Sequence, residues 1–155
     1  MDTAAGFVDS ATSPEPFSSQ REQEAISALD RSIAIDPALS QAYLSLAVSH
    51  TNNSDPAATF RALEAWIESR SRTASGPYVG VLDRWEQQTG LDQPARAALP
   101  MKDMEDWLSG ALIEMVKAGI ELGNDVDGDL QVALGVLFNT SGVRCVAARL
   151  PAACA

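Results

Sequence analysis

A repeat with a 34-residue step constrains the fold of this chain more than any other feature of its sequence. Residues 23–71 match themselves at this offset, with Leu29 recurring as Leu63 and Ala25 as Thr59. A period of this length is typical of helix-hairpin solenoids. Because one hairpin cannot bury its apolar face alone, such hairpins stack on one another and expose a groove to a partner. The repeat therefore predicts an all-helical binding protein.

The composition allows one packed domain and disfavours anionic partners. Hydrophobic residues make up 46% of the 155 residues, which is enough to build a core of ordinary size. The chain carries 11 basic and 21 acidic residues, a formal net charge of -10. Such a charge repels nucleic-acid phosphates and anionic lipids. We therefore expect no nucleic-acid partner, and we favour a basic peptide.

No stretch of the sequence predicts membrane insertion or secretion. The longest apolar run falls far short of the roughly 18 residues that a membrane-spanning helix needs. Residues 1–20 lack the basic start and the apolar centre of a secretory signal. We therefore expect a cytoplasmic protein without a transmembrane segment.

Apolar spacing and proline positions predict three helices within residues 18–70. Residues 20–35 carry an apolar stripe at helical steps, and the proline at position 37 ends this helix. Ser40 can cap a second helix. Asp55, followed directly by a proline, can cap a third. We interpret residues 18–70 as helix-hairpin repeats.

Residues 101–142 contain the most regular helical pattern. Apolar side chains recur on steps of three and four over residues 104–120, which predicts a long amphipathic helix. Gly123 can end this helix. A further inner helix follows from Leu130, with Gly135 as the small residue at a close helix contact. We interpret the segment as an amphipathic helix and the start of the next repeat.

The other segments lack helical spacing. Residues 1–17 predict a flexible N-terminal arm, and the glycines and prolines of residues 71–100 predict an irregular linker. Residues 143–155 contain a proline where a large apolar residue is needed. We interpret them as an aberrant tail, with a reading-frame or exon error as one hypothesis. The solenoid is accordingly expected to be incomplete.

No residue pattern indicates catalysis, a metal site or a cofactor. His50, the single histidine, occupies an apolar helical position and is interpreted as a core residue. The acidic turn at residues 123–129 places Leu134 where a calcium loop has its glutamate. Cys145 and Cys154 lack the further ligands of a zinc site. We therefore expect no enzyme and no cofactor.

The candidate binding residues lie on the predicted inner helices, at positions that face the groove. An Asn side chain both donates and accepts hydrogen bonds, so it can hold a peptide backbone or a terminal carboxylate without burying a charge. The alternative is that these positions merely face solvent. The groove-facing positions are Val48, Thr51 and Asn52 in one repeat and Val136, Asn139 and Thr140 in another.

Two blocks of the sequence are more specific than a generic repeat pattern. Residues 44–54 read Leu-Ser-Leu-Ala-Val-Ser-His-Thr-Asn-Asn-Ser and lead to residues 63–67, and residues 129–142 contain Leu-Gly-Val-Leu-Phe-Asn-Thr-Ser-Gly. In content and order, the blocks closely resemble the peroxisomal receptors for C-terminal Ser-Lys-Leu-type targeting signals. The resemblance to this family covers residues 18–142.

The resemblance implies a tetratricopeptide-type, right-handed superhelix that binds the C-terminal tripeptide of peroxisomal matrix proteins. It also implies cycling between the cytoplasm and the peroxisomal membrane, with docking proteins as partners. Val48, Thr51 and Asn52 match residues of the family's peptide-contacting helix, whereas Asn139 is assigned by geometry. The later repeats of that family would lie beyond residue 155, so we expect impaired binding. A generic tetratricopeptide scaffold for another peptide is the alternative.

Overall fold

The computed structural model describes residues 15–73, 75–125 and 127–149, and the side chains of residues 20–73, 75–125 and 127–141. All regular secondary structure in these residues is helical, which confirms the expected all-α fold of helix hairpins. The helices are α1 (Glu15–Ile35), α2 (Ser40–Asn52), α3 (Pro56–Ser71), α4 (Val81–Thr89), α5 (Gln93–Ala97), α6 (Met101–Glu121) and α7 (Gly128–Arg149).

Aspartate caps set the start of α3, at Asp55, and of α5, at Asp92. The Asp55 carboxylate accepts a hydrogen bond from the Ala58 amide at 3.1 Å, and Pro56 begins α3, where its missing N–H costs nothing. The predicted cap of α2 is wrong. Ser40 is itself the first residue of α2, and Leu39, which precedes it, makes no side-chain capping bond.

Helix α3 packs against α2, α4, α6 and α7, and α2 packs against α1, α3 and α7, so these two helices form the centre of the fold. Ala47 of α2 is fully buried, which lets a neighbouring backbone approach closely. The core between the helices is built from large apolar side chains, each of which stabilises the fold by roughly 1.5–3 kcal/mol when fully buried. Those with no exposed surface include Leu63, Trp66, Ile67, Leu108, Leu112, Met115 and Leu137.

The prediction of an irregular linker at residues 71–100 is wrong, because the segment forms α4 and α5. Gly80 and Gly90 flank α4 with φ values of +77° and +70°, a conformation that other residues rarely adopt. Trp85 of α4 lies directly over Gly110 of α6. A Cβ atom at position 110 would lie 2.2 Å from Trp85 Cζ2. The glycine therefore permits the two helices to pack.

A buried arginine joins α5 to three other helices. Arg96 Nε donates to Glu64 Oε2 at 2.6 Å, Nη2 donates to Glu68 Oε2 at 3.3 Å, and Nη1 donates to Glu86. Its guanidinium carbon lies 4.4 Å from the ring centre of Trp107 on α6. We call Arg96 and these three glutamates the Arg96 cluster. Burial alone would lower the pKa of Arg96, but the bonds to Glu86 and Glu64 raise it.

A second arginine fixes the start of α7 to α3. Arg70 Nη2 donates to Asp127 Oδ2 at 2.6 Å, and Nη1 donates to Asp129 Oδ2 at 3.3 Å. Its guanidinium lies 5.4 Å from the Trp66 ring centre and 5.2 Å from that of Tyr78. Burial, with the Asp127 charge next, raises the pKa of Tyr78 to about 12. The acidic turn at residues 123–129 therefore supplies both carboxylates that pair with Arg70.

Two boundaries and one packing position differ from the predictions. Helix α1 begins at Glu15 instead of residue 20, and the rest of the predicted arm lies outside the described residues. Helix α7 runs to Arg149 without a break at residue 142, where a segment boundary was predicted, and the interpretation of residues 143–155 as an aberrant tail stays a prediction. Gly135 does not form a close contact, since open space surrounds it. Fully buried Ala133 is the small residue of α7.

The structure also bears on membrane insertion, on His50 and on the two cysteines. No described helix combines the length and apolarity that crossing a bilayer requires. His50 is partly buried, and its Nδ1 atom is buried without a hydrogen-bond partner among the described residues. Cys145 and Cys154 lie outside the residues whose side chains are described.

Candidate functional site

A hollow of about 240 Å³ lies where the end of α2 and the start of α3 meet α7. It is partly open to solvent, and most of its lining surface is apolar, although most of its lining residues carry polar side chains. We call this cavity the hollow. It is lined by Thr51, Ser54, Asp55, Pro56, Thr59, Asn139 and Thr140.

The tight reversal between α2 and α3 creates one wall of the hollow. Ser54 has a φ of +57°, the one described non-glycine residue in the left-handed region. This conformation costs roughly 1–2 kcal/mol. The Ser54 amide donates to the Thr51 carbonyl at 3.0 Å, and the Asp55 amide donates to the His50 carbonyl at 2.9 Å. These bonds turn the chain within three residues and bring α3 alongside α2.

Three threonine hydroxyls meet inside the hollow. Thr51 Oγ1 lies 3.3 Å from Thr59 Oγ1 and 3.4 Å from Thr140 Oγ1. Each hydroxyl also lies closer to the carbonyl oxygen four residues earlier on its own helix, which is the usual arrangement for threonine in a helix. Those shorter distances are 2.9 Å to Ala47, 2.8 Å to Asp55 and 2.8 Å to Val136.

The charge of the hollow comes from Asp55 alone. One carboxylate oxygen, Oδ1, accepts the Ala58 amide, and no lysine, arginine or histidine belongs to the lining. The hollow is therefore negative. Its hydrogen-bonding side-chain groups are hydroxyls, one carboxylate and the amide of Asn139, which is exposed.

The structure brings together two of the four predicted binding residues. Thr51 and Asn139, which lie far apart in the sequence, both line the hollow. Asn52 is exposed but does not belong to the lining, and Val48 is partly buried against the core. The prediction that all four face one groove stays untested, because no ligand marks the extent of a binding surface.

Sequence reasoning missed Asp55 and Thr59 as parts of the site. Asp55 was predicted only as a helix cap, and capping is indeed what one of its oxygens does. The signal for Thr59 is present in the 34-residue repeat, where it replaces Ala25 at a packing position. A hydroxyl on a fully buried residue requires a polar neighbour, so this replacement indicates a polar contact between helices.

Stacked helix hairpins with a polar hollow place the chain in the class of helical-repeat proteins. Over 120 residues it is 32% identical to the peroxisomal targeting signal receptor of Debaryomyces hansenii, covering 77% of this chain and 18% of that protein. Over 123 residues it is 32% identical to the PEX5-related protein of Mus musculus, covering 79% and 20%. Over 124 residues it is 32% identical to the peroxisomal targeting signal receptor of Yarrowia lipolytica, covering 77% and 18%.

The chain therefore has distant homologues named as peroxisomal targeting signal receptors and PEX5-related proteins, in agreement with the resemblance of its two sequence blocks. These names are those of receptors, not of enzymes. The chain spans about a fifth of the length of the curated relatives it matches. No family model and no solved structure matches it.

Proposed function

We propose that this chain is part of a peroxisomal targeting signal receptor and contacts the C-terminal Ser-Lys-Leu-type tripeptide of matrix proteins. The observation that carries the proposal is the meeting of Thr51 and Asn139 at one hollow. They come from the two sequence blocks that resemble this family. The hollow lies between stacked hairpins, where helical-repeat proteins bind partners.

Each of the four predicted residues has a proposed role. The exposed amides of Asn52 and Asn139 hold the peptide, because an amide can both donate to a carboxylate or carbonyl and accept from a backbone N–H. Thr51 forms part of the wall of the hollow. Val48, partly buried, supports the helix that carries Thr51.

We further propose that the chain acts in the cytoplasm and at the peroxisomal membrane, with membrane docking proteins as partners. The names of its relatives support this setting. Because the chain corresponds to about a fifth of those proteins, we expect the isolated chain to bind the tripeptide more weakly than a full-length receptor does.

Fluorescence polarisation with a labelled peptide that ends in Ser-Lys-Leu tests the proposal. We expect saturable binding that is lost when the peptide's terminal carboxylate is amidated. Asn139→Ala and Asn52→Ala should each weaken binding about fivefold or more, as expected for loss of a hydrogen bond to a charged group. Asn124→Ala, which removes an exposed amide from the turn after α6, is the matched control and should leave binding unchanged.

The same measurement separates the alternative function. A generic tetratricopeptide scaffold would bind internal or amidated basic peptides as tightly as the free Ser-Lys-Leu terminus. That result would reject the targeting-signal proposal and leave a general peptide-binding function.

A further inference from the structure

A second cavity, of about 310 Å³, lies between the first half of α3, α5 and the start of α6. It shares no lining residue with the hollow. Its lining is mainly apolar and includes four large side chains, those of Phe60, Leu99, Met101 and Met104. We call this cavity the methionine pocket. Its volume lies near the lower end of the roughly 300–1,000 Å³ that small-molecule sites occupy, so it suits a small ligand.

The apolar wall of the methionine pocket combines rigid and adaptable side chains. Phe60 and Met104 are buried, with 2% and 9% of their surface exposed. Leu99 and Met101 are partly buried and pack against the same core. Methionine has three rotatable bonds and a polarisable sulfur, so it adjusts to apolar groups of different shapes. The wall can therefore hold an aliphatic or an aromatic body.

Three charged side chains line the methionine pocket, and two of them are already paired with each other. Arg96 Nε donates to Glu64 Oε2 at 2.6 Å, and the Arg96 side chain has no exposed surface. Arg61 is exposed and has no hydrogen-bond or ion-pair partner among the described residues. Its guanidinium offers parallel N–H donors that match the two oxygens of a carboxylate. The charge that remains available to a ligand is thus positive.

We propose that the methionine pocket binds a small organic carboxylate, with its apolar body against Phe60, Leu99 and the two methionines and its carboxylate on Arg61. A single cation favours a singly charged group over a phosphate, whose second charge would lie unpaired near Glu64. The proposal is independent of targeting-peptide binding, because no residue of the hollow belongs to this site.

Methionine methyl groups report binding directly, because the chain contains four methionines. Met101 and Met104 line the pocket, whereas Met115 lies in the core without exposed surface. In protein labelled with ¹³C at these methyl groups, titration with 4-phenylbutyrate should shift the Met101 and Met104 signals in a saturable way and leave Met115 unchanged. The absence of shifts up to about 10 mM ligand, or an equal shift of Met115, would overturn the proposal.

Two further ligands test the charge. 4-Phenylbutanol and 4-phenylbutylamine carry the same apolar body with no charge and with a positive charge. We expect 4-phenylbutyrate to bind about fivefold more tightly than the alcohol, which is what one exposed ion pair can provide, and the amine to bind most weakly. Equal affinities of acid and alcohol, or tighter binding of the amine through Glu64, would reject a carboxylate as the ligand.

Arg61→Gln tests the contact with the carboxylate, and Arg84→Gln is its matched control. Arg84, on α4, is also exposed and without an ion pair among the described residues, but it lies outside the pocket. Glutamine retains good helix propensity at both positions. Arg61→Gln should reduce the preference for acid over alcohol to about twofold or less, and Arg84→Gln should retain it. Equal losses would mean that net charge sets the preference, which contradicts a contact with Arg61.

Ala57→Leu tests the cavity itself, because it adds apolar volume to the lining of the pocket. We expect it to weaken the acid and the alcohol alike, by about fivefold or more, through loss of the buried apolar contact. The Met115 signal shows whether the variant keeps its core. Undiminished binding by an Ala57→Leu protein with an unchanged Met115 signal would place the ligand elsewhere and overturn the proposal.

Discussion

The hollow and the Arg96 cluster are both polar clusters between packed helices, and both contain carboxylates. In the Arg96 cluster, one cation is shared by three glutamates, stacks on Trp107 and has no exposed side-chain surface. In the hollow, three threonine hydroxyls lie near the Asp55 carboxylate, no cation belongs to the lining, and the hollow is partly open to solvent. A cluster whose charges are paired holds helices together, whereas a charge without an opposite partner has capacity left for a ligand.

The largest effect should come from removing the cation of the complete cluster. Arg96→Met leaves Glu64, Glu68 and Glu86 together without a positive partner, and we expect the free energy of unfolding to fall by about 3–5 kcal/mol. Urea denaturation measures it. Arg72→Met is the control, since its half-exposed guanidinium should contribute about 1 kcal/mol or less. Equal losses would mean that burial does not distinguish these two arginines.

Glycine at position 110 provides the next test, of the packing of α4 on α6. Gly110→Ala places a methyl group against the ring of Trp85, and we expect a loss of about 1–3 kcal/mol from overpacking. Gly135→Ala, in open space on α7, should instead stabilise the protein by about 0.5–1 kcal/mol through helix propensity. Thermal unfolding of both variants gives the comparison. A stabilised Gly110→Ala would show that α4 does not lie on α6 in solution.

The pH dependence of stability should differ between a carboxylate whose pKa is raised, Glu68, and one whose pKa is lowered, Asp127. Burial, and then repulsion from Glu64, raises the pKa of Glu68 above 4.5. The folded state therefore binds the proton more tightly, so this contribution to stability is present at low pH and is lost as pH rises through the window above 4.5. We expect Glu68→Gln to be less destabilising at neutral pH than below pH 4.5.

The pKa of Asp127 shifts in the opposite direction, so Asp127 serves as the control for Glu68. Burial opposes ionisation, but the hydrogen bonds from Arg70, the Asp129 amide and Tyr78, together with the Arg70 charge, outweigh it and lower the pKa of Asp127 below 3.8. Its contribution is present above that value and is lost as pH falls. Asp127→Asn should therefore cost more stability at neutral pH than in acid. Parallel pH profiles for the two variants would contradict these assignments.

The smallest effect on stability should come from the hollow itself. Thr140→Val keeps the side-chain shape and removes a hydroxyl that bonds only its own helix and Thr51. We expect the free energy of unfolding to change by about 0.5 kcal/mol or less. Urea denaturation measures this change. A loss as large as that of Arg96→Met would show that the hydroxyl cluster holds the helices together and would break the contrast between the two clusters.

Local sequence patterns predicted the helices in which apolar residues recur at helical spacing. The stripe that includes Leu108 and Leu112 predicted α6, and Asp55 with Pro56 predicted the start of α3. The helices within residues 71–100 were missed because Gly80 and Gly90, which suggest irregular structure, lie just outside α4 and mark its start and its end. This short helix packs on the core through Val81 and Leu82 and through Trp85, which lies on Gly110, and no local pattern reports this last contact.

In the candidate site too, some features could be predicted from the sequence and others only from the structure. Its residues were available to sequence reasoning as two blocks, and Thr51 and Asn139 were selected from them. That the Thr51 and Thr140 oxygens lie 3.4 Å apart was not available, because they are separated by 89 positions in the chain. The sequence predicted Asp55 only as a helix cap. That role accounts for one carboxylate oxygen, Oδ1, and leaves the other without an explanation.

By itself, the sequence determined the helical class of this protein, its 34-residue period and the helix boundaries marked by Asp-Pro pairs, because these depend on interactions within a few residues. Only the tertiary structure decided that Arg96 joins four helices and that three threonines converge beside Asp55. Both features arise from the approach of distant segments. Which of these groups form ion pairs and hydrogen bonds depends on the distances between atoms, which a linear pattern does not contain.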